Sequence, residues 1–392
     1  MKKPRVLLTY IESGMGHIMS MSAIASGLKE KYADKIEIIE SYIMDEGGKD
    51  TKEFQTFLSD CTKATNKHKA FGIGVFWFLT AAGKQYFMRL IHRTVFKKFT
   101  KATMESMLKY LPDVIISTHY FITFAALELK KQYLPNLTVI TYNPDNNVHV
   151  WWDSRSDLLI KNNANACDEA IKRRKFNYNQ VKRVFFTARE EFINANLTRK
   201  QYREKFNLPL DNFTVMIADG AYAAGKAHKA CENLLKNITF PITIIFLAGK
   251  NEDAYNYYEK KRPTMKKNIT FINLKFTPLA YEYYGASDVF ITKSGPNAVL
   301  DSLYMGTPVI IDYYAHVIEK ATAELFVDDL KCGIACYRIK NISKLVTKLY
   351  ENPLILKELQ RNIKQNVNKK QNGSLQIADI IFEELKEKGL IK

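Results

Sequence analysis

A short turn near the start of the chain carries residues suited to acid–base chemistry. The apolar run 6–11 leads into Ser13-Gly14-Met15-Gly16-His17, and a helix is predicted over 18–32. Two glycines let the backbone approach a ligand, and the amides of a helix N-terminus suit a phosphate or a developing oxyanion. Histidine titrates near neutral pH, so His17 is a candidate general base. The spacing differs from the Gly-x-Gly-x-x-Gly pattern of dinucleotide sites, and the alternative is an ordinary strand-to-helix turn.

Three turns in the second half of the chain also join an apolar run to glycine and polar residues. They are 218–226, 247–251 and 292–301, which contain Gly220, Gly249 and Gly295 respectively. In the last of them, we expect Asp301 near the first turn of the helix that follows. A carboxylate there can accept hydrogen bonds from ribose hydroxyls while the N-terminal amides hold a phosphate. The alternative is an acidic side chain that complements the helix dipole.

Short apolar runs alternate with helical patterns along the whole chain, which is typical of parallel sheets with crossover helices. Strands are predicted at 6–10, 36–39, 113–117, 137–142, 158–160 and 184–186, then at 213–218, 242–248, 269–272, 289–292 and 309–311. Two such series predict an α/β protein of two doubly wound, Rossmann-like domains, 1–200 and 201–392, with the option that the last helix returns to the first domain. Ligands bind at the carboxyl ends of the strands in such sheets. We therefore expect the two domains to face each other across a cleft and the ligands to bind in that cleft.

Length and composition exclude a single small binding module and a disordered chain. The 392 residues fit two average domains, and 46% of them are hydrophobic. The 58 Lys and Arg exceed the 41 Asp and Glu, and the formal charge of +17 favours phosphate-rich partners. Five cysteines in no dense framework indicate ordinary thiols in a reducing compartment.

The apolar runs of the chain are short. The run 6–11 is too short for the core of a signal peptide, and no run reaches the roughly 18 to 20 apolar residues that span a bilayer. We therefore expect a cytoplasmic protein that is at most peripheral to a membrane.

A basic, aromatic segment between Cys61 and Met104 contains no Asp or Glu. Such segments bind anionic lipid, because each basic residue near the leaflet contributes about 1 kcal/mol and aromatic rings settle at the interface. The predicted membrane contacts are Trp77, Phe78, Lys84, Arg89, Arg93, Lys97 and Lys98. The alternative is a pair of amphipathic helices whose cations are solvated. No nucleic-acid fold or base-stacking motif accompanies the charge, so nucleic acid is not an expected partner, and the basic run 172–175 indicates a solvated helix end.

The order of the turns resembles one family of enzymes. The motifs that carry the resemblance are Ser13-Gly14-Met15-Gly16-His17; Asp113-Val114-Ile115-Ile116-Ser117-Thr118-His119; Thr141-Tyr142-Asn143-Pro144-Asp145 with His149 and Trp152; Gly249-Lys250-Asn251; and 292–301 followed by Gly306-Thr307-Pro308. They look like those of the monogalactosyldiacylglycerol synthases and processive diacylglycerol glucosyltransferases, which are relatives of the peptidoglycan glycosyltransferase of glycosyltransferase family 28. The resemblance covers roughly Arg5 to Leu385.

This resemblance implies a GT-B fold, a UDP-sugar held mainly by the C-terminal domain, a lipid acceptor at the N-terminal domain, and inverting transfer without a metal or other cofactor. His17 matches the histidine of the family's glycine-rich loop and is the candidate catalytic base. Gly220 matches the pyrophosphate-facing loop, Phe276 precedes the uracil contact, and Asp301 stands at the position of the ribose-binding glutamate. The donor set so implied is Gly16, Gly220, Gly249, Lys250, Asn251, Phe276, Thr277, Ser294, Gly295, Asn297, Ala298 and Asp301, and the acceptor set is His119, Tyr142, Asp145, His149 and Trp152.

Several positions depart from the family's pattern. Ser294 and Pro296 stand where the family has proline and glycine, Ala298 replaces a phosphate-binding threonine, and 312–321 lacks the proline-glycine-glutamine-glutamate sugar contacts. The predicted activity is the transfer of glucose or galactose from a UDP-sugar to diacylglycerol or a glycosyl-diacylglycerol. The predicted location is the inner face of the plasma membrane, on an anionic surface. The alternatives are a non-catalytic paralogue that binds UDP-sugar or membrane, and an epimerase-like enzyme that acts on a UDP-sugar.

Overall fold

The computed structural model describes residues 3–11, 15–67, 85–220, 226–313 and 320–391. The described strands are β1 (Arg5–Tyr10), β2 (Glu37–Tyr42), β3 (Val114–Ser117), β4 (Thr138–Tyr142), β5 (Leu158–Lys161), β6 (Val181–Arg183), β7 (Phe213–Ile217), β8 (Ile242–Gly249), β9 (Ile269–Lys275), β10 (Val289–Lys293), β11 (Val309–Asp312) and β12 (Gly333–Cys336). Trp77, Phe78 and Lys84 of the predicted membrane segment lie outside the described residues, as do Ser13 and Gly14.

The described helices alternate with these strands. They are α1 (Met15–Tyr32), α2 (Ile43–Glu46), α3 (Gly48–Lys67), α4 (Gln85–Thr94), α5 (Lys97–Leu108), α6 (Tyr120–Gln132), α7 (Ala164–Arg174), α8 (Glu190–Asn194), α9 (Arg199–Lys205), α10 (Ala227–Asn237), α11 (Glu252–Lys261), α12 (Ala280–Ala286), α13 (Pro296–Tyr304), α14 (Lys320–Ala323), α15 (Ile342–Glu351), α16 (Pro353–Asn366) and α17 (Gly373–Glu387). One turn of π-helix, Glu324–Asp329, continues α14.

The chain divides into two compact units, Met1–Arg189 with Gln371–Lys392, and Glu190–Lys370. The division comes before the expected position near residue 200, because α9 is anchored in the second unit. Arg203 of α9 donates from Nε to the Ala286 carbonyl at 2.9 Å and from Nη2 to the Asp288 carboxylate at 2.6 Å. The last helix, α17, belongs to the first unit.

The first unit is built on a parallel sheet whose described strands run in the order β2-β1-β3-β4-β5-β6. The apolar residues of β1, β3 and β4 are almost fully buried, as expected of parallel strands covered on both faces by helices. Helix α17 packs on α1, where the rings of Tyr32 and Phe382 stack at 4.1 Å. The core of this unit therefore includes the last helix of the chain.

The predicted strand at 184–186 is wrong by three residues, because β6 is Val181–Arg183. The main chain of 185–186 bonds to the start of α17 instead of extending the sheet. The amide of Phe185 donates to Oε1 of Gln376 at 2.7 Å, and the carbonyl of Phe186 accepts from the amide of Gly373 at 2.9 Å. This run therefore contacts the final helix instead of extending the sheet.

The second unit repeats the architecture, with described strands in the order β12-β11-β10-β7-β8-β9, all parallel. Its core lies between the sheet and helices α10, α11, α15 and α16. Strand β12 was not predicted, because Gly333–Cys336 is a short run whose two central residues are only partly buried. All five cysteines are free thiols.

The contact of α1 with α17 has little room for added volume. A Cβ atom at Gly27 would lie 2.6 Å from the carbonyl oxygen of Ser374, which is backbone at the start of α17. We predict that Gly27→Ala lowers the free energy of unfolding by about 1 to 3 kcal/mol, although alanine is the better helix former. Urea denaturation measures it, with Ser22→Ala on the exposed side of α1 as the control. A Gly27→Ala protein as stable as the Ser22→Ala protein would show that α17 does not pack closely here.

Candidate functional site

The carboxyl ends of β1, β3, β4 and β5 carry the polar side chains of the first unit. These strands are neighbours in the sheet, so the loops that follow them meet at one edge. His17 lies in the first turn of α1, His119 caps α6, Asp145 follows β4, and Lys161 ends β5. The structure therefore brings together the predicted base and part of the predicted acceptor set.

His17 is held by the loop that follows β3. Its Nδ1 lies 2.6 Å from the carbonyl oxygen of Thr118, and Oγ1 of Thr118 donates to the carbonyl of His17 at 3.4 Å. A carbonyl only accepts, so Nδ1 carries the proton and Nε2 of the neutral ring carries the lone pair. Burial lowers the pKa of His17, while the Asp145 carboxylate and the bond to Thr118 oppose that shift. The ring is thus a neutral base at pH 7.

His119 and His149 lie behind His17. The rings of His17 and His119 meet edge to face with centroids 4.9 Å apart. Nδ1 of His119 accepts from the amide of Phe121 at 3.3 Å, which caps α6. Burial lowers the pKa of His119 well below its ordinary value and lowers that of His149 to about 3. Both rings are therefore neutral supports, and both are nearly fully buried, whereas His17 is partly exposed.

Asp145 is the acidic residue of this edge. Its Oδ2 lies 3.9 Å from Nε2 of His149, and about a quarter of its side chain is exposed. The turn that carries it is bonded to the end of β5, because Nζ of Lys161 donates to the carbonyl oxygens of Asn143, at 3.0 Å, and Asp145. Sequence reasoning missed Lys161, although it directly follows the apolar run 158–160.

Tyr142 and Trp152 of the predicted acceptor set are core residues, at 1% and 0% exposure. The hydroxyl of Tyr142 shares a hydrogen bond with Thr187 at 3.0 Å, and Trp152 packs with Val148 and Leu159. These two side chains support the edge from beneath and present no surface to an acceptor.

In the second unit, Asp219 joins the carboxyl ends of two strands. Its Oδ2 accepts from the amide of Ala227 at 2.5 Å, and its Oδ1 accepts from the amide of Lys293 at 3.0 Å. The first amide begins α10 and the second ends β10. Burial raises the pKa of Asp219, and these two amides oppose that shift. Gly220 follows with a φ of +76°, a backbone conformation that glycine adopts without strain.

Two more polar groups lie at this edge. Lys226, just before α10, pairs with the buried carboxylate of Asp312 at 2.7 Å. Ser294 is fully buried, and its hydroxyl has no hydrogen-bond partner among the residues that the structure describes. The predicted site residues did not include Asp219, Lys226 or Asp312. The sequence indicates them only because each one directly follows or ends an apolar or glycine-rich run.

Helix α13 begins at Pro296 with Gly295 as its N-cap, so Asn297 and Ala298 lie in its first turn. The placement of Asp301 near the first turn was wrong, because Asp301 is the sixth residue of α13 and the first turn contains no acid. An acid one turn further along lies beyond the reach of the dipole effect, so the alternative of a dipole-complementing residue is excluded as well.

The loops after β8 and β9 lie side by side. The amide of Phe276 donates to the carbonyl of Gly249 at 2.9 Å, and Nζ of Lys250 lies 5.8 Å from the centroid of the Phe276 ring. Asn251 caps α11, and Thr277 accepts from the amide of Leu279 at 3.1 Å, so both side chains have structural partners. Phe276 is 53% exposed and offers an aromatic face to a ligand.

Comparison with known proteins shows what this chain is similar to. Residues 220–379 match the glycosyltransferase family 28 C-terminal domain. A probable monogalactosyldiacylglycerol synthase of Glycine max is 23% identical over 364 residues, which cover 89% of this chain and 66% of the synthase. Monogalactosyldiacylglycerol synthase 1 of Arabidopsis thaliana is 22% identical over 357 residues, which cover 87% of this chain and 64% of the synthase. The chain spans about two thirds of the length of these two relatives.

Solved structures share the fold of this chain at low sequence identity. MurG of Acinetobacter baumannii gives a TM-score of 0.61 at 15% identity, covering 97% of this chain and 99% of that one. Anabaena Alr3699/HepE in complex with UDP gives 0.58 at 12% identity, covering 98% and 100%. These likenesses confirm the predicted two-domain α/β GT-B fold.

The basic segment that the sequence predicts to contact a membrane is only partly a free surface. Arg89 donates to both carboxylate oxygens of Asp153, at 2.8 and 3.1 Å, and Arg93 donates to Oε1 of Glu128 at 3.0 Å. Both arginines therefore pair with a buried acid distant in the chain, and the Arg93 side chain is still 48% exposed whereas that of Arg89 is 26% exposed. Lys97 is exposed as predicted, as is Lys98.

Two further features of the described residues are relevant to the candidate site. Among them no helix combines the length and the apolar character that crossing a bilayer requires. In that same part of the chain, no group of three or more His, Cys, Asp or Glu side chains is arranged to hold a metal ion.

The ion pair of Arg89 gives a stability prediction. Asp153 is 5% exposed, and removing Arg89 leaves it with Arg155 as its remaining cation. We predict that Arg89→Gln lowers the free energy of unfolding by about 1.5 to 3 kcal/mol, the scale of hydrogen bonds to a charged group. Urea denaturation measures it against Lys97→Gln, which should leave stability unchanged because Lys97 is exposed. Equal unfolding midpoints for the two variants would show that Arg89 is a surface cation that does not stabilise the fold.

Proposed function

We propose that this chain transfers a hexose, glucose or galactose, from a UDP-sugar to the hydroxyl of diacylglycerol or a glycosyl-diacylglycerol. The observation that carries the proposal is the neutral, Nδ1-protonated imidazole of His17 at the carboxyl edge of the first sheet. The match of residues 220–379 to the glycosyltransferase family 28 C-terminal domain and the similarity to monogalactosyldiacylglycerol synthases support the reaction class and the lipid acceptor.

His17 acts as the general base of this reaction. As the acceptor hydroxyl oxygen forms its bond to the anomeric carbon, Nε2 takes the hydroxyl proton. The bond from the anomeric carbon to the phosphate oxygen breaks, and its electron pair leaves with UDP. The imidazolium so formed is stabilised by the Asp145 carboxylate, which favours the charged form of His17. Attack from the face opposite UDP inverts the anomeric configuration.

The second unit holds the donor. The N-terminal amides of α10 and α13 suit the diphosphate, and Lys226 and Lys293 lie at the same edge to balance its charge. The exposed ring of Phe276 suits the uracil face, and Asp301 is assigned to the ribose hydroxyls. No metal ion is needed in this arrangement.

The surface of α4 and the turn after it supports the proposed membrane association. Tyr86, Leu90 and Val95 are 74%, 46% and 71% exposed, and Lys97 and Lys98 come directly after them. Apolar side chains flanked by cations suit the interface of an anionic leaflet. We propose that this surface holds the protein as a peripheral enzyme on a cytoplasmic membrane face, close to its lipid substrate.

The activity is tested with radiolabelled UDP-glucose and UDP-galactose in liposomes that contain diacylglycerol, followed by lipid extraction. Label in the lipid fraction, with the sugar linked in the configuration opposite to the donor's, is the expected result. Label in neither lipid nor free sugar would favour the non-catalytic binding protein. Isomerised soluble sugar would favour the epimerase-like alternative.

The role of His17 predicts a specific kinetic change. His17→Ala and His17→Gln should both lower kcat by about two to four orders of magnitude, because neither side chain accepts the proton. Glutamine preserves a donor for Thr118, so it separates base catalysis from support of the loop. UDP affinity, measured by calorimetry, should stay at the parent value in both variants.

The pH profile is the second readout for His17. Because the pKa of the buried imidazole is lowered, kcat/KM of the parent should fall only below the ordinary histidine pKa of about 6.5. The exposed Ser22 of α1 provides the control substitution, Ser22→Ala. Turnover of His17→Gln within a few-fold of the Ser22→Ala protein would remove His17 from the chemistry.

The lipid-facing surface predicts salt-dependent binding. Lys97→Gln with Lys98→Gln should weaken flotation with anionic liposomes about thirty-fold, at about 1 kcal/mol per residue. Lys229→Gln with Lys236→Gln removes the same charge from the exposed surface of the second unit and should have no such effect. Tyr86→Ser with Leu90→Ser should weaken binding at high salt as well, because apolar burial is not screened. Equal flotation of the two lysine pairs at low salt would place the docking surface elsewhere.

A further inference from the structure

A buried lysine ends β5 in the first unit. Lys161 has no exposed surface, and burial lowers the pKa of its ammonium to about 8. A buried amine costs free energy unless its protons have acceptors. Its Nζ donates to the carbonyl oxygens of Asn143, at 3.0 Å, and of Asp145. Both acceptor oxygens belong to one turn, so the amine of Lys161 bonds to a single loop of the fold.

That turn is also closed by its own side chain. Oδ1 of Asn143 accepts from the amide of Asp145 at 2.9 Å, and its Nδ2 donates to the carbonyl of Asn147 at 2.8 Å. The main chain of the turn is therefore bonded from inside by Asn143 and from the sheet by Lys161. The side chain that this turn presents is the Asp145 carboxylate, which faces His149 at 3.9 Å and acts electrostatically on His17.

We propose that Lys161 is a positioning residue for His17, which ties the Asn143–Asp145 turn to β5 and so fixes the Asp145 carboxylate at the sheet edge that also carries the catalytic imidazole. The inference rests on the proposed function of His17 as base. Lys161 touches neither His17 nor the reacting atoms in this scheme, and it acts only through the turn. The titratable and charged groups around His17 and this turn are His119 on α6, Asp145 and His149 after β4, Lys161 on β5, and Cys167, Glu169 and Arg174 on α7.

The direction in which the pKa of His17 changes when Lys161 is replaced distinguishes a positioning role from two other roles. If Lys161 positions Asp145, its loss lets the carboxylate move away, and the pKa of His17 falls. If Lys161 acts only as a nearby cation, its loss removes a repulsive charge of the kind that lowers the pKa of His149, and the histidine pKa values rise. If Lys161 only stabilises the fold, the pKa of His17 in the folded variant stays unchanged.

The test compares Lys161→Met, which has no donor, with Lys161→Gln, which keeps a neutral one. The pKa of His17 is read by NMR titration of protein labelled with [13C]histidine, with its signal assigned by its absence from His17→Gln. We expect a lower pKa in Lys161→Met, together with a kcat about ten- to a hundred-fold lower at unchanged KM for the UDP-sugar. Lys161→Gln should recover part of both effects.

Two more variants keep the test decisive. Asn143→Ser loosens the same turn while Lys161 keeps its charge, so it should lower the pKa of His17 even if Lys161→Met does not fold. Lys388→Met removes an exposed lysine that also donates to a carbonyl, that of Asn136 at 2.7 Å, and should change nothing. An unchanged or raised pKa of His17 in the turn variants overturns the inference. A parent protein that transfers no sugar overturns the proposed function instead, and the NMR titration still decides the role of Lys161.

Discussion

The hydrogen bond from Nδ1 of His17 to the carbonyl of Thr118 is the contact on which the base role proposed for His17 depends. The two residues are 101 positions apart, and they meet because β1 and β3 are adjacent parallel strands with Thr9 opposite Ser117. Since a carbonyl only accepts, the bond determines the tautomer and places the lone pair on Nε2. Burial then favours the neutral ring. The proposed base chemistry thus depends on the pairing of two strands.

The second unit has a comparable constraint, in which the side chain accepts main-chain hydrogen bonds instead of donating one. Asp219 accepts one amide from the start of α10 and one from the end of β10, so a buried carboxylate joins two neighbouring strand ends. The pair of Lys226 with Asp312 adds the end of β11 to the same group. In each unit a side chain that follows the first strand along the chain bonds to main-chain atoms at or just after the end of a neighbouring strand. These bonds join described residues at the carboxyl edge of each sheet.

The sequence predicted the strands well because buried parallel strands are continuous apolar runs, and β1, β3, β4 and β10 lie where such runs occur. The sequence-based predictions failed where contacts between residues distant in the chain determine the structure. The run 184–186 bonds to α17, and the acids that pair with Arg89 and Arg93 lie 64 and 35 positions away. The motif of the family predicted His17 and Asp145, but nothing in a local pattern shows that the amine of Lys161 turns inward onto the Asn143–Asp145 turn.

The measurement that tests this account most directly is the 15N NMR spectrum of protein labelled at its histidine ring nitrogens, recorded near neutral pH. The account predicts that His17 is a neutral ring with a protonated Nδ1 and an unprotonated Nε2. A ring protonated at both nitrogens, or a neutral ring with its proton on Nε2, would contradict it. In either of those states the nitrogen assigned to the acceptor hydroxyl could not take up its proton.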